Sequence, residues 1–188
     1  MRDLEKEVME IKELVESNKI LMYPPLKKSE VIEFCQKYDV DLPEEYVLFL
    51  TEIGDGWKET INEVCDTSNM NRLLESFKEG GNLKKEFPFT ESWVWEDGGG
   101  DKWPQMEGES DEKYKERLKT LRTEALNGQI ELIDVGDGGS WCLIISGKSK
   151  GEVWFICGEG VGPCVERLTF FEWLKKWLNG IFELEDYL

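Results

Sequence analysis

Apolar residues return every three or four positions at the start of the chain, at Leu4, Val8, Ile11, Leu14 and Val15, with Glu and Lys between them. That period predicts an amphipathic helix ending near Ser17-Asn18, before Tyr23-Pro24-Pro25 breaks the chain. A second helix is expected from a Ser29 cap through Val31, Ile32, Phe34 and Cys35, stopping before Asp39. Leu42-Pro43-Glu44-Glu45 opens a third, with Tyr46, Val47, Phe49 and Leu50 as its apolar positions. Proline needs no N–H partner in a first helical turn, and the two acids suit the positive end of the helix dipole. Gly54-Asp55-Gly56 stops it.

From Trp57 to Gly128 the pattern is least regular. Leu73, Leu74 and Phe77 indicate a short helix, Phe87 to Trp95 a short strand or aromatic loop, and Asp111 to Leu126 a longer helix. The last third is clearer. Gln129 to Val135, Trp141 to Ser146 and Glu152 to Ile156 read as strands, with Gly136-Asp137-Gly138-Gly139 a tight turn and Gly147-Lys148-Ser149-Lys150-Gly151 a hairpin turn. A final helix starts at an N-cap, Thr169, with Glu172 completing a capping box and Leu168 and Trp173 placed as a hydrophobic staple. Trp141, Trp154, Trp173 and Trp177 are assigned to the core.

Composition adds constraints on chemistry. The 188 residues hold 23 basic and 40 acidic side chains and no histidine, a formal charge of −17. Without His there is no Ser-His-Asp triad, Cys-His pair or HExxH zinc site. So acidic a chain is a poor ligand for nucleic-acid phosphates and suits a basic partner instead. No stretch reaches the ~20 apolar residues of a membrane span. The N-terminus lacks the apolar run of a leader, and five cysteines with no CxxC favour a reducing cytoplasm.

Several motifs fail on inspection. Gly147-Lys148-Ser149 lacks the earlier glycine of a phosphate loop, since position 142 is Cys142, and it precedes a strand. Gly136-Asp137-Gly138 lacks the third glycine of a dinucleotide fingerprint, where Trp141 stands. Asp134 with Asp137, or Asp97 with Asp101, misses EF-hand spacing. Neither a metal, a cofactor nor a catalytic residue is expected. The remaining enzymatic alternative is a carboxylate glycoside hydrolase built from Glu91, Glu96 and Asp97 beside Trp93, Trp95 and Trp103, types that 40 acids place together by chance.

Three stretches carry a family resemblance: Leu42-Pro43-Glu44-Glu45-Tyr46-Val47-Leu48-Phe49-Leu50 with Gly54-Asp55-Gly56; Gly128 to Gly138; and Leu143-Ile144-Ile145-Ser146-Gly147 with Gly151-Glu152-Val153-Trp154, closed by Phe170-Phe171-Glu172-Trp173-Leu174. Their order resembles the SUKH superfamily, the cell-wall-assembly-regulator (Smi/Knr-type) domain, and Phe87-Pro88-Phe89 with Trp93 resembles one bacterial branch of it. The resemblance implies an α+β fold with a largely antiparallel sheet packed by helices, in line with N-terminal helices, late strands and a C-terminal amphipathic helix. It implies a helix and linker extension over 1–28 and a single domain over 29–188, with an acidic insertion at about 86–116. It further implies function by binding. Bacterial relatives are mostly cytoplasmic immunity proteins that occlude a polymorphic toxin, and fungal relatives regulate cell-wall synthesis.

The expected partner is therefore a protein, a basic toxin domain such as a nuclease or deaminase, with a scaffold role in cell-wall signalling as the alternative. From Glu86 to Glu116 ten acids face three bases, a local charge of −7. The candidate contact residues are Asp55, Trp57, Trp93, Trp95, Glu96, Asp97, Asp101 and Trp103. All lie in predicted loops, where binding residues concentrate.

Overall fold

The structure is a computed structural model, and it describes residues 3–58, 69–77, 81–94, 105–164 and 166–180. The helices are α1 (Leu4–Ser17), α2 (Lys28–Tyr38), α3 (Glu44–Leu48), α4 (Asp111–Glu124) and α5 (Phe170–Leu178). The strands are β1 (Trp93–Val94), β2 (Gln129–Gly136), β3 (Gly139–Ile144), β4 (Val153–Ile156) and β5 (Gly160–Pro163). All pairings are antiparallel, in the order β1-β5-β4-β3-β2. The fold is α+β.

Both faces of the central strands are covered, and side-chain alternation sorts their residues between two cores. Trp141 and Leu143 of β3 and Val153 of β4 enter the main core, with α1, α3 and α5. Cys142, Ile144, Trp154 and Ile156, the residues between, enter a second core with Phe87, Phe89, Trp93 and Val161. In β2 the pairing steps from Glu131↔Cys142 to Ile133↔Trp141, so one extra residue is inserted. That bulge lets neighbouring Leu132 and Ile133 both reach the main core while Glu131 bonds Ser140.

The tight turn after β2 forms as expected. Asp137 (φ 49°) and Gly138 (φ 78°) both take the left-handed conformation that matches hairpin twist. The capping box also forms, the Thr169 N–H donating to Glu172 Oε2 at 2.9 Å. The second helix differs: it starts at Lys28, so Ser29 lies inside its first turn. Glu30 takes the capping role by accepting the Lys27 N–H at 2.8 Å. The third helix is shorter than its apolar run, passing into a π-helical turn over Phe49–Ile53. The short helix near Leu73 is one 3-10 turn, Leu73–Glu75.

The expected N-terminal extension is packed into the domain. Val8 and Ile11 of α1 lie in the main core, and Glu7 meets Lys175 of α5 at 3.1 Å. By contrast α4 buries no residue completely. It rests on the second core through Leu118 and Leu121. Its start is held by charge: Arg117 donates to both oxygens of Glu109, at 3.0 and 2.8 Å. Among the described residues no helix is long and apolar enough to cross a membrane.

Two predictions follow from these contacts. Glu172→Ala strips the capping box and lowers the unfolding free energy by about 1 kcal/mol. The effect is read as a lower urea midpoint at unchanged slope, and an unmoved midpoint contradicts the role. The Arg117 guanidinium and then the Met106 N–H hold Glu109 down at about 2, from the ordinary 4.5. A depressed carboxyl stabilises the fold above its unfolded value, and that contribution disappears as pH falls toward the folded value. Between pH 4.5 and 2 the wild type is therefore expected to lose more stability than Glu109→Gln. Urea unfolding of the two proteins across this pH range checks the difference, and equal losses would contradict it.

Candidate functional site

The candidate residues expected at the surface divide in two. Trp95, Glu96, Asp97, Asp101 and Trp103 lie outside the described residues. Asp55, Trp57 and Trp93 are described, and all three are buried, at 2%, 1% and 1% exposure. Their expected place on an exposed loop is corrected. Trp57 is covered because single antiparallel bridges, Met22↔Trp57, Trp57↔Met70 and Met70↔Ile133, carry the pairing on past β2. Trp93 pairs with Val161 and stacks on Phe89, with ring centroids 5.4 Å apart. These three residues supply no surface anchor.

Asp55 does something else. A buried carboxylate needs donors to replace its lost hydration. Here Oδ1 accepts the Leu73 N–H at 2.8 Å and Oδ2 accepts from Arg72 Nε at 3.0 Å. The Gly54-Asp55-Gly56 turn is fixed from the other side as well, the Tyr23 N–H donating to the Gly56 carbonyl at 3.0 Å. Gly56 has φ +78°, and a Cβ there would fall 2.5 Å from the Met70 carbonyl oxygen, so this close approach requires glycine. Arg72 then lies over the Tyr23 ring, 5.0 Å from its centroid, with Lys58 on the same ring at 5.3 Å. Tyr46 is fully buried, and among the described residues its hydroxyl has no hydrogen-bond partner. Burial pushes that phenol far above its usual range, and the Asp55 charge adds to the shift.

This hub forms one end of a groove of about 270 Å³ between α2 and the Leu73–Glu75 turn. Leu26, Phe34, Leu73 and Leu74 line it with apolar surface, and Glu30 and Glu33 stand on the α2 side. Two wider, more open hollows flank other elements. One, of about 610 Å³, lies beside α4 near Lys85 and Lys119, and one, of about 580 Å³, lies between Glu44 and Arg167.

Most of the acids that the fold withdraws from water have structural work. Glu7 meets Lys175, and Glu45 accepts the Phe171 N–H at 2.7 Å. Glu131 accepts from Asn71 and Ser140, and Glu152 from Trp154 Nε1 and Arg167. Asp134 and Asp137, weighed above as calcium ligands, sit at the β2–β3 hairpin, where Asp134 accepts the Gly136 N–H at 2.8 Å.

The groove residues Leu26, Phe34, Arg72 and Leu74, and Tyr23 beside Arg72, were not singled out from sequence as a site. Only the neighbouring signals were visible, the Tyr23-Pro24-Pro25 break and the Leu73-Leu74 pair, and nothing in the sequence joins them. They meet because Asp55 bonds both the backbone and the side chain of a segment 17 and 18 residues later.

The fold and site thus define an α+β domain with a five-stranded antiparallel sheet, its central strands covered on both faces, and a small apolar groove at the Asp55–Arg72 pair. No family model, curated protein or solved structure matches the chain.

If Asp55 builds this end of the molecule, Asp55→Ala costs about 2–3 kcal/mol, since it removes an ionised acceptor serving a buried N–H. Glu33→Ala, on the exposed wall of the same groove, stays within about 0.5 kcal/mol. Urea unfolding of both variants checks the contrast, and equal effects would contradict it.

Proposed function

We propose that this protein is a non-enzymatic binding protein, a cytoplasmic immunity protein of the SUKH kind that neutralises a basic toxin domain by direct contact. One observation carries the reading. Among the described residues, seven buried or half-buried carboxylates, at positions 7, 45, 55, 109, 131, 152 and 172, hold the fold together. Most acids without such work face solvent, as at Glu13, Glu16, Glu33, Asp137 and Glu159. Fixed inner acids and free outer ones suit long-range attraction to a cationic surface better than proton transfer in a cleft. A net charge of −17 acts in the same direction, speeding encounter with a basic partner and opposing acidic ones.

A glycoside hydrolase of the retaining or inverting kind needs two free carboxyls facing each other across a cleft, roughly 5–10 Å apart. In the 270 Å³ groove, Asp55 is paired with Arg72, and Glu30 and Glu33 share one helix wall. This arrangement supports binding over hydrolysis.

Co-expression with the toxin encoded beside the gene tests the proposal. Restored growth is expected, with a complex that weakens as salt is raised from about 50 mM toward 0.5 M, because exposed charges are screened. No rescue, together with no complex at low salt, contradicts it for that toxin. Capture of a cell-wall enzyme in its place would favour the scaffold alternative.

A further inference from the structure

We infer that the groove between α2 and the Leu73–Glu75 turn receives an apolar side chain from a cationic, amphipathic segment of the protein partner. This rests on the binding reading above and gives it a location. The groove's size fits one large side chain: a cavity of roughly 150 Å³ already holds a benzene-sized group, and this one offers about 270 Å³. Its lining includes Phe34 and Leu73, both buried, and Leu74, which keeps 67% of its surface exposed. Exposure of that order on a leucine beside an apolar hollow leaves area for a partner to cover.

Charge selects the kind of segment. Arg72 is already neutralised by Asp55 beneath it and lies against Tyr23. Lys37 lies over the ring of Tyr38, 4.9 Å from its centroid. Glu30 is engaged by the Lys27 N–H. Glu33 is exposed at the rim. A partner Lys or Arg can lay its methylene stem along the apolar floor and bring its cationic head to Glu33. An acidic segment would meet Glu33 and the field of the whole chain. Arg72, at one end of the groove, is of the kind of side chain that interfaces use as anchors. An amphipathic helix laid in a groove is the recognition mode that combines these contacts.

The probe is a fluorescein-labelled helical peptide of Leu and Lys, with a Leu/Glu peptide of the same pattern as control. Anisotropy at low salt is expected to show binding of the cationic peptide alone. Amide shifts should concentrate at Glu33, Phe34, Leu73 and Leu74. Glu33→Lys and Leu74→Asp, both at exposed positions, should each weaken binding by about tenfold or more, the equivalent of ~1.4 kcal/mol. Glu159→Lys, on the β4–β5 turn, makes the same change in net charge and should weaken binding only slightly, through the long-range field alone. The inference is overturned if Glu159→Lys weakens binding as much as Glu33→Lys, which would mark diffuse attraction, or if the peptide does not bind. Growth rescue separates the two levels. A wild type that rescues together with groove variants that rescue equally well removes the groove and keeps the binding function, whereas a wild type that fails to rescue removes the function itself.

Discussion

A carboxylate left 2% exposed must be matched by donors, and at Asp55 that requirement organises one side of the molecule. Its two oxygens tie the 54–56 turn to Arg72 and Leu73. The same turn is bonded to Tyr23, and Trp57 beside it bridges both Met22 and Met70. Three segments far apart in sequence are thereby held side by side. The groove lies between α2 and this assembly. Arg72 is held in place by the pair below and the Tyr23 ring beside it.

The sheet sets the second constraint. Every residue of β3 is buried, so its side chains must be covered from both sides. Aromatic residues do most of that covering. Trp141 and Trp173 lie in the main core with rings 6.0 Å apart, and Phe87 meets Trp154 edge-on at 5.0 Å in the second. Six of the chain's tryptophans (57, 93, 141, 154, 173 and 177) are consumed in this way. With these rings inside, the large apolar side chains exposed among the described residues are Met9, Leu21, Ile32, Leu74 and Met106, set among charged and polar ones. An interface on such a surface draws its attraction from charge and its specificity from the few apolar positions it offers.

Much of the architecture was legible in the sequence because it is written locally. The Thr169/Glu172 box, the Gly138 turn, the α1 periodicity and the strand-like runs of β3 and β4 depend on neighbours within a few residues. β5 escaped notice because Gly160, Gly162 and Pro163 carry no strand propensity; it is a strand only through its pairing with β4 and β1. The site was legible in part. Asp55 was singled out as a surface contact, and the structure makes it a buried structural carboxylate instead. Loop position suggested exposure for Asp55, Trp57 and Trp93, but burial is decided by which distant backbone folds over a loop, and here residues 21–23, 70–73 and 160–161 do so. The groove itself joins α2 to a turn some 40 residues later, a distance over which no periodicity or spacing rule operates.

Hydrogen–deuterium exchange on the complex with the co-expressed toxin addresses the groove and the binding function together. Slowed exchange on complex formation is expected across residues 26–37 and 71–75, with the strands of the sheet unchanged. Protection confined to α4, or to the β2–β3 and β4–β5 turns, would contradict docking at the Asp55–Arg72 groove.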